Sequence, residues 1–188
     1  MASVLPRELE KLADEFRAMK REAGEFLPKV NQSQFNKKPA DNGWSVAECI
    51  DHLIVTGDDY CNKFEAALKS LAEKNRRYTG EMKCSWFVRK FIANIEPPVK
   101  RKFKAPQKWR PDTNIDKAKA TAAFLQLQDR WVDLINQSAQ WDTTKARLPS
   151  PAVEWIKFTA FEILGVNSAH QRRHFEQAKK VKNSFKIY

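Results

Sequence analysis

The sequence predicts an all-α protein, a four-helix bundle with one long crossover between its second and third helices. Three observations predict it. Only 5 glycines occur in 188 residues, too few for the many tight turns of a β-sandwich. Long stretches rich in Ala, Leu, Glu, Lys and Gln favour helix. Apolar residues recur at alternating steps of three and four in four separate segments, the spacing of a helix with one buried face. At 42% hydrophobic and 30% charged, the chain can bury a core and is no disordered polyampholyte, and its length fits a single domain over residues 1–188.

The first helix runs from Leu5 through Leu9, Leu12, Phe16, Met19 and Ala23 to Phe26, with Pro6 where a first turn tolerates it. The second opens at Ser45: Glu48 three residues on completes a capping box, and Trp44 with Cys49 forms a hydrophobic staple. Its apolar seam is Val46, Ile50, Leu53, Gly57, Tyr60, Phe64 and Leu68, and Gly80 is the expected stop. Residues 81–112 form a basic connector, in which Ser85 to Ile95 fits a short amphipathic helix before Glu96-Pro-Pro and the prolines at 106 and 111 impose extended chain. The third helix, from Thr113 to near Trp141, carries Ala120, Ala123, Phe124, Leu127, Trp131, Leu134 and Ile135 on one face. After a loop with Pro149 and Pro151, Thr159 and Glu162 repeat the capping box and open the fourth helix, whose inward seam is Ile163, Asn167, His170, His174, Ala178 and Val181.

The net charge of +11 is concentrated. Residues 83–110 carry nine Lys or Arg against Glu96, and residues 171–188 carry six against Glu176, so the rest of the chain is close to neutral. The first stretch interleaves Trp86, Phe87, Phe91, Phe103 and Trp109, cations and stacking faces that suit single-stranded nucleic acid. The plainer and favoured reading is that these rings pin a connector to the core. Lys179, Lys180 and Lys182 suit a helix C-terminus through the macrodipole. No apolar run approaches the twenty residues of a membrane span, and the N-terminus turns polar before a signal-peptide core develops, so a cytoplasmic protein without a membrane partner is expected. Cys49, Cys61 and Cys84 are odd in number and lack close-paired spacing, which predicts reduced thiols.

The 3 histidines, His52, His170 and His174, all fall on predicted helices. His170 and His174 are one turn apart on the fourth helix and can converge on one ion. His52 sits one position off the seam of the second helix, where it can face a neighbour. Three imidazoles across a bundle core would hold a divalent ion and leave coordination positions for water or substrate. A lone H-x-x-x-H pair usually binds nothing and His52 alone is more often a hydrogen-bonded core residue; taken together, the spacing by itself leaves both readings standing. Position 171 is Gln, so the pair lacks the glutamate base of H-E-x-x-H proteases, and neither a phosphate loop nor a nucleophile elbow is present.

The run Gly43-Trp-Ser-Val-Ala-Glu-Cys-Ile-Asp-His52-Leu53, followed more than a hundred residues later by His170-Gln-Arg-Arg-His174, resembles the DinB/YfiT-like superfamily of metal-dependent enzymes. Helix order, chain length and both motifs match, over most of the chain as far as Val181. The resemblance implies an up-down-down-up four-helix bundle, a divalent ion, often zinc or nickel, on His52, His170 and His174, and frequently a homodimer. Characterised members of such a family include thiol-dependent S-transferases and a mycothiol-dependent isomerase. The basic segment from Glu96 to Pro111 departs from a compact member, and Asn167 lies a turn before His170 without an acidic neighbour.

Neutral imidazoles leave an ion its full charge, so it would activate a low-molecular-weight thiol for attack on an electrophile, or water for hydrolysis. Asp59 and Glu48, on the face of His52, are candidates to orient an imidazole or accept a proton, and both are also plausible surface acids, Glu48 having a cap to make. Cys49 lies one turn from His52, although a buried structural thiol is its commoner fate. The rival expectation is a non-catalytic helical module that binds an anionic partner or nucleic acid through the basic stretches.

Overall fold

The computed structural model describes residues 5–98, 105–151 and 153–185. The basic run at Lys100, Arg101, Lys102 and Lys104, with Phe103, lies outside the described residues. Among the described residues six α-helices follow in order: α1 (Arg7–Phe26), α2 (Gln32–Asn36), α3 (Val46–Glu73), α4 (Trp86–Ile95), α5 (Lys117–Gln137) and α6 (Ala160–Ser184). One two-stranded antiparallel ribbon, β1 (Arg147–Pro149) with β2 (Lys157–Thr159), sets Leu148 opposite Phe158. The protein is therefore mostly helical, as composition and periodicity predict.

Both predicted capping boxes form. The Glu48 amide donates to Ser45 Oγ at 3.1 Å while the Ser45 amide donates to Glu48 Oε2 at 2.7 Å, and Thr159 with Glu162 repeats this at 3.1 and 2.8 Å. Each box satisfies two amides that the first helical turn leaves without partners. A third box, Asn31 with Gln34, starts α2 and was legible in the sequence without being read there.

Three boundaries differ from expectation, each for a local reason. α3 stops at Glu73 and does not run toward Gly80. Asn75 adopts φ 46°, its amide bonds the Ala72 carbonyl at 2.9 Å, and the Arg76 amide reaches back to the Leu71 carbonyl at 2.8 Å. That is a Schellman ending with asparagine in the left-handed position glycine usually takes. α5 begins at Lys117, not Thr113, because the Asp116 carboxylate accepts from the Lys119 amide at 2.9 Å. It ends at Gln137, and Trp141 leaves the helix to pair in an antiparallel bridge with Arg77. The ribbon between α5 and α6 was not anticipated, since strands of three residues carry almost no period-two signal.

The four long helices α1, α3, α5 and α6 enclose the core. α1 and α3 both pack on α5, and α6 packs on α3 and α1. Phe16 of α1 stacks on the fully buried Trp131 of α5 at 5.3 Å between centroids, and Phe124 of α5 lies parallel to Phe175 of α6 at 6.2 Å. Gly57 sets the α3–α5 approach: a Cβ there would lie 2.4 Å from Leu127 Cδ2, so the two helices touch where the side chain is missing. α4 packs against α6, its capping residue Ser85 donating its amide to Glu162 at 2.8 Å. Among the described residues no helix is long and apolar enough to cross a membrane.

Candidate metal centre

Residues 118 positions apart meet inside this framework. His52 Nε2 and His170 Nε2 are 3.2 Å apart, and the rings of His52, His170 and His174 lie 4.7 to 5.1 Å from one another between centroids. One ligand atom from each falls within 4.8 Å of the other two. The juxtaposition follows from α3 packing on α6: His52 points across the contact, and the i, i+4 spacing stacks His170 and His174 on the opposing face.

Hydrogen bonds fix how two of the imidazoles are presented. His52 Nδ1–H donates to the Trp109 carbonyl at 2.7 Å, so the lone pair of Nε2 faces the cluster. His174 Nδ1–H donates to Gln177 Oε1 at 3.1 Å, leaving its Nε2 for the same point. Burial pushes His52 below the usual histidine range, against the opposing pull of the Trp109 carbonyl. His170 is held well below that range by burial and by the charges of His174, His52 and Arg173, and His174 is pushed down to about 3 by burial, His52 and Arg173. All three rings are therefore neutral near pH 7 and ready to ligate.

The donor set fits a divalent ion. Two nitrogens each about 2.0–2.1 Å from one tetrahedral ion stand roughly 3.3 Å apart, close to the 3.2 Å separation of His52 and His170. The donors are all neutral nitrogen, the chemistry that suits zinc, nickel or copper better than calcium or magnesium.

The cluster opens into a cavity of about 250 Å³ between α3, α4, α6 and the connector, walled by Trp44, Tyr60, Phe91, Ile95, Trp109 and Val166 among others. Trp44, expected as a staple residue, packs its indole on the imidazoles, 4.8 Å from His52 and 5.4 Å from His174. Tyr60 donates its hydroxyl to the Pro149 carbonyl at 2.9 Å, tying α3 to β1. Asn167 lines the cavity and donates Nδ2 to the Ile163 carbonyl at 3.0 Å.

The two acids singled out in the sequence take different places. Glu48 receives the Ser45 amide and ion-pairs with Lys38 at 2.7 Å. Burial works to raise its pKa, and Lys38 with the Ser45 amide outweighs that and lowers it. Asp59 reaches the cluster only through a relay: it accepts from Trp109 Nε1–H at 2.9 Å and from Lys63 at 2.6 Å, while Trp109 supplies the carbonyl that orients His52. The connector thus returns to the site at Trp109, which is 4% exposed. Cys49 is fully buried, its thiol pushed up by burial and by Glu48, and it is not part of the cluster. None of Cys49, Cys61 and Cys84 lines the cavity, and all three are unbridged. The Trp109 carbonyl and Gln177 were missed from sequence. The first is a backbone atom with no residue-type signal, and the second was available as the i+3 neighbour of His174.

A helical framework that brings three histidines from two distant helices to one point at a cavity defines a protein able to hold a divalent metal. The family model of the DinB superfamily matches residues 7–178, and the chain belongs to that superfamily. Neither a curated protein nor a solved structure shows significant similarity to it.

Proposed function

We propose that this protein is a metal-dependent enzyme of the thiol S-transferase or hydrolase type, built on an up-down-down-up four-helix bundle and working in the cytoplasm. The observation that carries the reading is the convergence of His52, His170 and His174, with two presenting hydrogen bonds behind them, at the edge of a largely apolar cavity. A structural site would be closed by a fourth protein ligand; here the cluster among the described residues has three and adjoins open volume. Zinc or nickel bound there supplies Lewis acidity, lowering the pKa of a thiol or water brought beside it.

The chain's own residues do the rest. Trp109 and Gln177 hold His52 and His174 in the ligating tautomer, Trp44 and Trp109 exclude water, and Asp59 fixes Trp109. The cavity has no cysteine of its own, so a thiol reaction takes its sulfur from a small-molecule partner. Thiol transfer is favoured over hydrolysis by the family alone.

Elemental analysis of protein purified without a nickel column tests the reading. About one zinc or nickel per chain is expected, with sharp loss in His170→Ala and His174→Ala; native protein without a stoichiometric ion overturns it. Screening low-molecular-weight thiols against the metal-loaded form then separates transfer from hydrolysis.

A non-catalytic module binding an anionic partner is the second reading, favoured by the exposure of Trp86 (63%) and Phe87 (55%), with Lys90 over the Trp86 ring. Two other aromatics of that stretch serve packing, Phe91 on Phe158 and Trp109 on Tyr60. Salt-sensitive oligonucleotide binding by the metal-free protein would favour this reading.

A further inference from the structure

The charge balance of the cavity is one-sided. Among the described residues that line it, Arg173 is a cation and none is an aspartate or glutamate. Residues 1–4, 99–104, 152 and 186–188 contain no Asp or Glu in the sequence either. Arg173 is only 8% exposed, and it follows His170 by three positions on α6, so it shares that helix face with the histidines. Its charge bears directly on them, helping to lower the pKa of both His170 and His174. A guanidinium stays protonated whatever else it contacts.

A dication on three neutral imidazoles beside a buried arginine concentrates positive charge in a low-dielectric space, and a bound anion relieves it. Much of the remaining lining is apolar: Phe91 and Ile95 of α4 with Trp44 and Val166. We propose that the cavity binds a small organic carboxylate, its head between Arg173 and the histidine cluster and its hydrocarbon body against Phe91 and Ile95. This deepens the metal-enzyme reading by giving the class of substrate. The volume of about 250 Å³ has room for a small organic acid, for which hexanoate serves as the probe. By linkage the carboxylate and the ion strengthen each other's binding equally.

Calorimetric titration of the full chain with hexanoate tests it, first stripped of metal and then with zinc. Hexanoate is expected to bind the stripped protein and to bind more tightly once zinc is present. Hexanol and hexylammonium should bind at least about tenfold more weakly, the discrimination a charge-assisted pair supplies. Acetate and inorganic phosphate should bind weakly, because they lack the hydrocarbon body; equal binding of phosphate would mean a general anion site and would overturn the substrate class. Arg173→Gln should weaken hexanoate about tenfold or more in both forms, and Arg173→Lys should retain most of the affinity. The comparison of hexanoate with hexylammonium needs no variant, so a misfolded Arg173→Gln leaves the test intact. Hexanoate binding no tighter than hexylammonium overturns the proposal. Stripped protein that prefers hexanoate but never takes up stoichiometric metal would sink the metal reading and leave the carboxylate site standing; a metal-loaded protein indifferent to hexanoate does the reverse.

Discussion

Acidifying the metal-free protein should unfold it through its histidines, and the size of the effect follows from where they sit. Burial and neighbouring positive charge push His174 from the ordinary 6.5 down to about 3. In the unfolded chain the same imidazole titrates near its ordinary value, so between these two pH values the unfolded state binds the proton and the folded state does not. Stability therefore rises with pH through this window and is lost as pH falls below 6.5. By about pH 5 the gap is one and a half units, worth about 2 kcal/mol from His174 alone at ~1.4 kcal/mol per unit. His52 and His170 are shifted in the same direction and add to the loss. For a chain of this size, His174 by itself then lowers Tm by roughly 4–8 °C between pH ~7.5 and ~5. The assay is thermal unfolding followed by circular dichroism, in chelator, on the wild type and on His174→Gln, which keeps a polar side chain of similar reach but cannot titrate. The variant should show a shallower fall of Tm with acid, whatever its absolute stability. Parallel pH profiles for the two proteins would refute the reasoning, because they would mean that His174 is no harder to protonate in the folded state than in the unfolded one.

Three further expectations concern groups around the site. Asp59→Ala takes the acceptor from the Trp109 indole and so loosens the carbonyl on His52; zinc affinity, read by competition with a chromophoric chelator, should fall by up to about tenfold. Asp59→Asn restores an acceptor and should recover most of that loss, whereas equal affinity in the wild type and Asp59→Ala would dispose of the relay. Gln171 buries both amide atoms without a hydrogen-bond partner, so Gln171→Met should raise stability by about 1 kcal/mol in urea unfolding, and a lower urea midpoint would reveal a partner for the amide. Arg172 joins α6 to Glu15 of α1 and to Glu96 beyond α4 while about a third exposed. Arg172→Met should cost about 1–2 kcal/mol, between a surface pair and a buried one, with a smaller difference in high salt; no change in the urea midpoint would count the pairs as solvated surface contacts.

Much of this molecule is written along the chain. The capping boxes at Ser45 and Thr159 are contacts between residues three apart, and they appear in the structure as the sequence specifies. The stripes from Leu9 to Ala23 and from Ala120 to Ile135 likewise become the buried faces of α1 and α5. The i, i+4 spacing of His170 and His174 guarantees that they share a face, and the family motifs add His52. Where the sequence reading slipped, the deciding contact was also local but used a substitute residue: Asn75 ended α3 in place of a glycine, and Asp116 rather than an earlier residue began α5.

What the sequence by itself determined is which side chains each helix would turn inward, because that depends on periodicity and on neighbours within one turn. What only the tertiary structure decided is what those side chains meet. The Trp109 carbonyl behind His52 comes from a connector 57 positions away, Asp59 turns to an indole rather than to an imidazole, and Arg173 joins the histidines in a cavity lined, among the described residues, by no acid. Those outcomes rest on how α3, α4 and α6 pack around the returning connector, and contacts that close over such distances leave no spacing signal in a single chain.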